Sequence, residues 1–161
     1  MKFSFGRYPK SSGKQKISLK LDKWDTWNMD YTLALIIHPM LVQLKKTQHG
    51  APNVDDEDVP EKLRSTKAKP KKNEWDTDSN HFKRWEWVMD EMIWAFGEMA
   101  KADEPNFWIK EPKWNTKKNK GGNYDSLFVS GKYNHKKADA YRSRQNNALR
   151  LFGKYYRGLW D

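Results

Sequence analysis

Three stretches of the chain carry apolar residues at helical spacing. From about Asn28 to Gln48, Met29, Leu33, Ile36, Ile37, Met40, Leu41 and Leu44 recur every three or four residues, which puts them on one side of a helix. Asp25, Thr26 or Asn28 can cap it, Lys45 and Lys46 suit its negative end, and Gly50 can stop it. A second helix is expected from about Ser79 to Lys101, on Phe82, Trp85, Met89, Met92, Ile93, Phe96 and Ala100. Trp87, Val88 and Trp94 widen its apolar arc, which places it at the centre of the fold. A third, from about Lys136 to Leu159, aligns Tyr141, Gln145, Ala148, Leu149, Phe152, Tyr155, Tyr156 and Leu159.

The intervening segments follow other rules. Ile17, Leu19 and Leu21 alternate with polar residues, the period of a half-buried strand. Phe107 to Ile109 and Leu127 to Val129 read as short strands around a Lys/Asn/Gly-rich loop from Asn115 to Asn123. The expected fold is therefore α+β and mainly α: three long helices with a small antiparallel sheet drawn from the 15–21 and 107–133 regions. Residues 1–161 form one domain, with a basic N-terminal arm at 1–14 and a basic linker at 64–74 that lacks apolar periodicity and reads as mobile.

Composition changes this picture in two respects. Nine Trp, seven Tyr and seven Phe supply large buried areas despite a polar average. The absence of Cys excludes disulfides and Cys-based zinc sites and suits a reducing compartment. The opening residues have no apolar stretch of the kind a secretory leader needs, and the run Leu33 to Ile37 is too short to cross a bilayer, so no membrane association is expected.

Charge is the stronger signal. The net +10 is distributed as +6 over residues 1–20, −4 over 21–63, +4 over 64–74, −5 over 75–104 and +9 over 105–161. Such an excess points to a polyanionic partner, nucleic acid first, or simply to a well-solvated surface. On the third helix, Arg142, Arg150, Lys154 and Arg157 share the arc opposite the apolar stripe, with Asp139 the one acid on that side. These cations either meet phosphates or dock on the chain's own acids at Asp55–Asp58. If they face a ligand, changing Arg150 and Lys154 to Gln leaves folding intact. Lys117, Lys118 and Lys120 with Trp114 and Tyr124 have the composition of a strand-stacking loop, and equally of an ordinary exposed one. Trp24, Trp27 and Trp75 lie outside the helical stripes and, with Trp114, are candidate ring platforms.

Catalytic chemistry has no comparable support. Asp55, Asp56, Glu57 and Asp58 could hold a hard cation, but they lack calcium-loop spacing and read more simply as acids at a helix start. His38, His49, His81 and His135 form no metal-ligand pair, and His38 lies away from its helix's apolar face. No nucleophile elbow, phosphate loop or dinucleotide fingerprint occurs, so no catalytic residue, metal or cofactor is assigned.

The blocks WDTWNMDYTLALIIHPMLVQLKKTQHGAP, VDDEDVP, HFKRWEWVMDEMIWAF and ALRLFGKYYRGLWD resemble, in this order and over about half the chain, an uncharacterised family of small hypothetical proteins of tailed bacteriophages, including T4-like ones. The resemblance implies synthesis in the cytoplasm of an infected bacterial cell, as an accessory factor or a virion component, and transfers no site residue. The expectation is a non-catalytic accessory protein that binds nucleic acid generically through backbone contacts at the basic helix face. The alternatives are a protein-interaction factor meeting an acidic bacterial or phage protein, and a metal-dependent nuclease or hydrolase. No oligomeric state is implied.

Overall fold

The computed structural model describes residues 2–6, 15–101 and 103–160. In chain order the regular elements are β1 (Lys2–Phe5), β2 (Ile17–Lys20), α1 (Met29–Thr47), α2 (His81–Met99), β3 (Trp108–Lys118), β4 (Tyr124–Tyr133) and α3 (His135–Lys154). Single turns of 3-10 helix occur at Lys23–Thr26, Asp56–Asp58, Glu61–Leu63, Ser65–Lys67 and Tyr156–Gly158. No helix among the described residues is long and apolar enough to cross a membrane.

The helix α2 is central, as its broad apolar arc requires. Trp85, Val88, Met89, Met92, Ala95 and Phe96 are all buried. One core cluster joins the first four of these and Phe96 to Ala34 and Leu41 of α1, to Leu151 and Tyr155 at the end of α3, and to Val54 and Val59 of the connecting segment. Polar ties fix the helices at defined heights. Trp85 Nε1 donates to Gln48 Oε1 at 2.8 Å. Arg144 of α3 forks onto both Glu91 carboxylate oxygens of α2 at 2.8 Å, and its guanidinium lies 3.8 Å from the Trp94 ring centre. Asp78 accepts from the Asn80 amide at the start of α2 and pairs in a bidentate manner with the buried Arg84.

The apolar stripe of α1 is split between two sides. Ala34, Ile37 and Leu41 face the core, whereas Met29, Leu33 and Met40 are exposed. The helix is apolar around much of its circumference, and small Ala34 lies on the side that the α2 contact covers. His38, expected away from the packed side, lies against α2: a Cβ added at Gly97 would sit 3.1 Å from its Nε2. The third helix also ends earlier than its pattern suggests. Tyr155 leaves helical geometry at φ −100° and ψ 13°, so Arg157 sits in the following turn and not on α3.

The strands form two separate antiparallel ribbons and not one sheet. The 15–21 segment pairs with the start of the arm, Lys2 opposite Lys20 through Phe5 opposite Ile17. The remainder of the arm, residues 7–14, lies outside the described residues. Among the described residues β3 pairs only with β4, and both are far longer than three residues. Asn115 to Lys118, read as the start of a Lys-rich loop, are strand. Only Asn119 to Asn123 turns, closed by Asn119 N–H to Asn123 O at 2.8 Å and by Asn119 Oδ1, which accepts from the Gly121 and Asn123 amides. Gly122 sits at φ +82°, open to glycine at little strain. Pro112 is tolerated because each strand of a two-stranded ribbon has a free edge, and the register shifts around it. In the linker, Ser65 is held by Asp56 and the Lys69 amide donates to Ser79 Oγ at 2.9 Å.

Candidate nucleic-acid interface

The two sets of cations expected to meet a polyanion have different surroundings. Arg150 and Lys154 of α3 are turned onto the acidic segment. Arg150 Nη2 lies 2.7 Å from Asp58 Oδ1, and Lys154 Nζ lies 2.6 Å from Asp58, 2.7 Å from Asp55 and 3.3 Å from Glu57. Tyr155 donates its hydroxyl proton to Asp58 Oδ2 at 2.5 Å and accepts from the Asp55 amide at 3.0 Å. The segment is pinned there because Val54 and Val59, on either side of the four acids, are both in the core. Asp58 is thereby drawn inside, its side chain 1% exposed. Asp56 turns away and accepts from Ser65.

The electrostatics are self-consistent. Burial pushes the Asp58 carboxyl up, but donors from Lys154, Tyr155 and Arg150 outweigh it and hold the group below its ordinary value. Hydrogen bonds to Asp55 and Asp58 raise the Lys154 ammonium above the usual lysine value. Burial, then the bond to Asp58, pushes the Tyr155 phenol up to about 12. Asp55, Glu57 and Asp58 are the one group among the described residues whose oxygens converge closely enough to hold a metal ion. The Lys154 ammonium already stands among them, and with Arg150 it meets two of their three charges from within the chain. The other two cations of the helix arc differ: Arg142 is exposed, 3.9 Å from an exposed Glu104, and Arg157 is exposed in its turn.

The β3–β4 ribbon carries a run of unpaired charge. Residues 108–133 carry six Lys against Glu111 and Asp125. None of Lys110, Lys113, Lys117, Lys118, Lys120 and Lys132 takes part in an ion pair among the described residues. Lys117 and Lys118 lie at the end of β3, Lys120 in the turn, and all three are exposed. Directly opposed residues of an antiparallel pair share a face. Trp114 opposite Phe128, Thr116 opposite Ser126 and Lys118 opposite Tyr124 therefore form one face. Trp114, Phe128 and Tyr124 are exposed by 56%, 51% and 70% on it.

This face runs into a cleft at the root of the ribbon. Trp108, Phe128, Gly131, Tyr133, His135 and Arg142 line about 580 Å³. The Trp108 and Phe128 rings lie 6.5 Å apart at 30°, and Tyr133 meets Trp108 edge-on at 5.0 Å. Gly131 permits this: a Cβ there would sit 3.0 Å from Pro112 Cα and 3.1 Å from both rings. The cleft was not apparent from sequence, although Arg142 was singled out. The remaining platform candidates, Trp24, Trp27 and Trp75, are exposed as expected but lie outside this face.

No family model matches the chain, and neither does any curated protein or solved structure.

Proposed function

We propose that the protein is a non-catalytic accessory factor that binds nucleic acid, with the β3–β4 ribbon and not the α3 face making the contact. The observation that carries this is the ribbon's set of unpaired, exposed lysines, set against a helix face whose Arg150 and Lys154 are already neutralised. Phosphates would complete charge that the protein leaves open, releasing counterions as they do so. The resemblance to phage proteins supports action in the cytoplasm of an infected bacterium, or in the virion.

Changing Lys117, Lys118 and Lys120 together to Gln tests the reading. All three are exposed, so folding should be unaffected. Binding to generic DNA or RNA should weaken for every sequence, and the slope of log affinity against log salt should fall by about two, chiefly from Lys118 and Lys120, since Lys117 lies on the opposite face across from Asp125. An unchanged slope would remove the ribbon from the interface.

One observation favours a protein partner as a second reading. Met29, Leu33 and Met40 line an exposed side of α1, close in sequence to exposed Trp24 and Trp27, the kind of apolar surface that another protein covers. Affinity capture from infected cells, with and without nuclease treatment, separates the two. Partners lost on nuclease treatment support the first reading; an acidic protein retained through it supports the second.

A further inference from the structure

Resting on the nucleic-acid reading of the ribbon, we infer that the ligand is single-stranded, with bases stacking on the ring-bearing face that runs from Tyr124 through Trp114 and Phe128 into the Trp108/Tyr133 cleft. The lysines alone would serve a duplex as well as a strand. The rings do not. A duplex keeps its base faces stacked inside and offers grooves lined by edges, for which hydrogen-bonding side chains are the complement. A single strand offers π-faces, for which exposed aromatic rings beside cations are the complement.

Four observations place these features together. Trp114 and Phe128 pair across the strands with centroids 5.5 Å apart at 74°, so their mutual orientation is set by the ribbon itself. Both remain more than half exposed, although rings of this size are usually covered when they serve only to hold strands together. Gly131 lets the Trp108 and Phe128 rings lie close against the backbone at the root of the face, where an added Cβ would sit 3.1 Å from each. Arg142 comes from α3 to the rim of that cleft, bringing a guanidinium, which can stack or bind phosphate, beside the aromatic walls.

The first turn of α3 extends the same positive rim. His135, Lys136 and Lys137 are exposed there with no acid among them, and the His135 ring meets Tyr133 edge-on at 5.0 Å. From Tyr124 to Tyr133 the strand spans roughly 30 Å at ~3.3 Å per residue. That length suits the short end of the roughly 4–16 nucleotide footprints of stacking surfaces. Bases would take the rings, while the backbone would follow Lys118 at the far end and Arg142 at the near end.

Fluorescence anisotropy with the full chain tests this, using labelled oligothymidylate and oligouridylate of about 15 nucleotides and a duplex of equal length. The expected result is tighter binding of the single strands than of the duplex at the same salt. Trp114→Ala and Phe128→Ala should each weaken single-strand binding by about 5- to 150-fold with the duplex affinity unchanged. Because each ring also supports the ribbon, Trp114→Phe is the second variant; it keeps a stacking surface and should keep most of the affinity. Arg142→Gln should lower the salt slope by about one. A preference for oligothymidylate or for oligouridylate would identify DNA or RNA as the strand, and both fulfil the inference. Equal binding of strand and duplex, with ring variants that match the parent protein, would overturn it and leave the phosphate-binding ribbon standing. No binding of any oligonucleotide at low salt would overturn the proposed function itself.

Discussion

Replacing Asp58 by Asn is expected to lower the stability of the protein by about 2–3 kcal/mol at neutral pH. The exchange preserves shape but removes the one buried charge on which Arg150, Lys154 and Tyr155 converge. The loss falls short of that for a fully buried pair because Arg150 is 49% and Lys154 31% exposed and both can turn to water. The Tyr155 hydroxyl cannot do so as easily, since that residue is buried. Changing Arg150 and Lys154 to Gln together, neutral on the ligand-facing expectation, should now cost about 1–3 kcal/mol by leaving the Asp58 carboxylate without its cations.

The dependence on pH has a definite sign. Asp58 is held below its ordinary value, so its contribution is present above the unfolded value near ~4 and disappears as pH falls through the folded one. Tyr155 and Lys154 are both raised, so their contributions are complete below about pH 10. They are lost as pH climbs towards the folded values, that of Tyr155 being about 12. Urea unfolding of parent and Asp58→Asn proteins should show a gap that is widest between these limits and narrows on both sides. A gap independent of pH would mean that the cluster does not act through charge.

The second large effect belongs to Trp85. Its side chain is 2% exposed, its Nε1 donates to Gln48, and its ring meets the Tyr155 ring edge-on at 6.0 Å. Trp85→Ala should cost about 3–5 kcal/mol through the cavity it leaves. In a chain of this size that lowers the melting midpoint by roughly 6–20 °C. Trp85→Phe retains most of the volume and loses the donor to a half-buried amide, so a penalty of about 1–2 kcal/mol is expected. Thermal unfolding followed by near-ultraviolet circular dichroism checks both variants. A Trp85→Ala protein as stable as the parent would show that α2 does not organise the core.

The helices were legible because each buries a continuous side. Trp85, Met89, Met92 and Phe96 recur at three and four, and nothing but a buried helix explains that spacing. The side of α1 was less legible because Leu33 and Met40 on one flank are as apolar as Ala34 and Leu41 on the other, and only the partner decides between them. The ribbon left almost no trace in hydrophobic alternation, since neither of its faces is covered along Lys113–Val129 and no alternation is needed. The short apolar runs at Phe107–Ile109 and Leu127–Val129, around a segment with paired glycines, were its local signs. As for the acidic cluster, both charges of the contact were visible, as were Val54 and Val59 on either side of the acids. Their meeting, which also joins Asp58 to Tyr155 across 97 positions, was one of two open readings, because no local pattern decides a contact at that separation.

The internal neutralisation of the α3 terminus has an electrical consequence for the whole molecule. With Lys154 and Arg150 compensated by Asp55, Glu57 and Asp58, the far end of α3 contributes little outward field. Positive charge persists on the ribbon and the first turn of α3, as it does on residues 1–20 and 64–74, while residues 75–104, most of them in α2, carry a net −5. Such a separation is a dipole moment. A polyanion drifting into range would exert a torque before any contact forms, turning the protein so that its basic surfaces lead. Orientation would then be decided in solution, over distances of about a Debye length, before the surfaces meet.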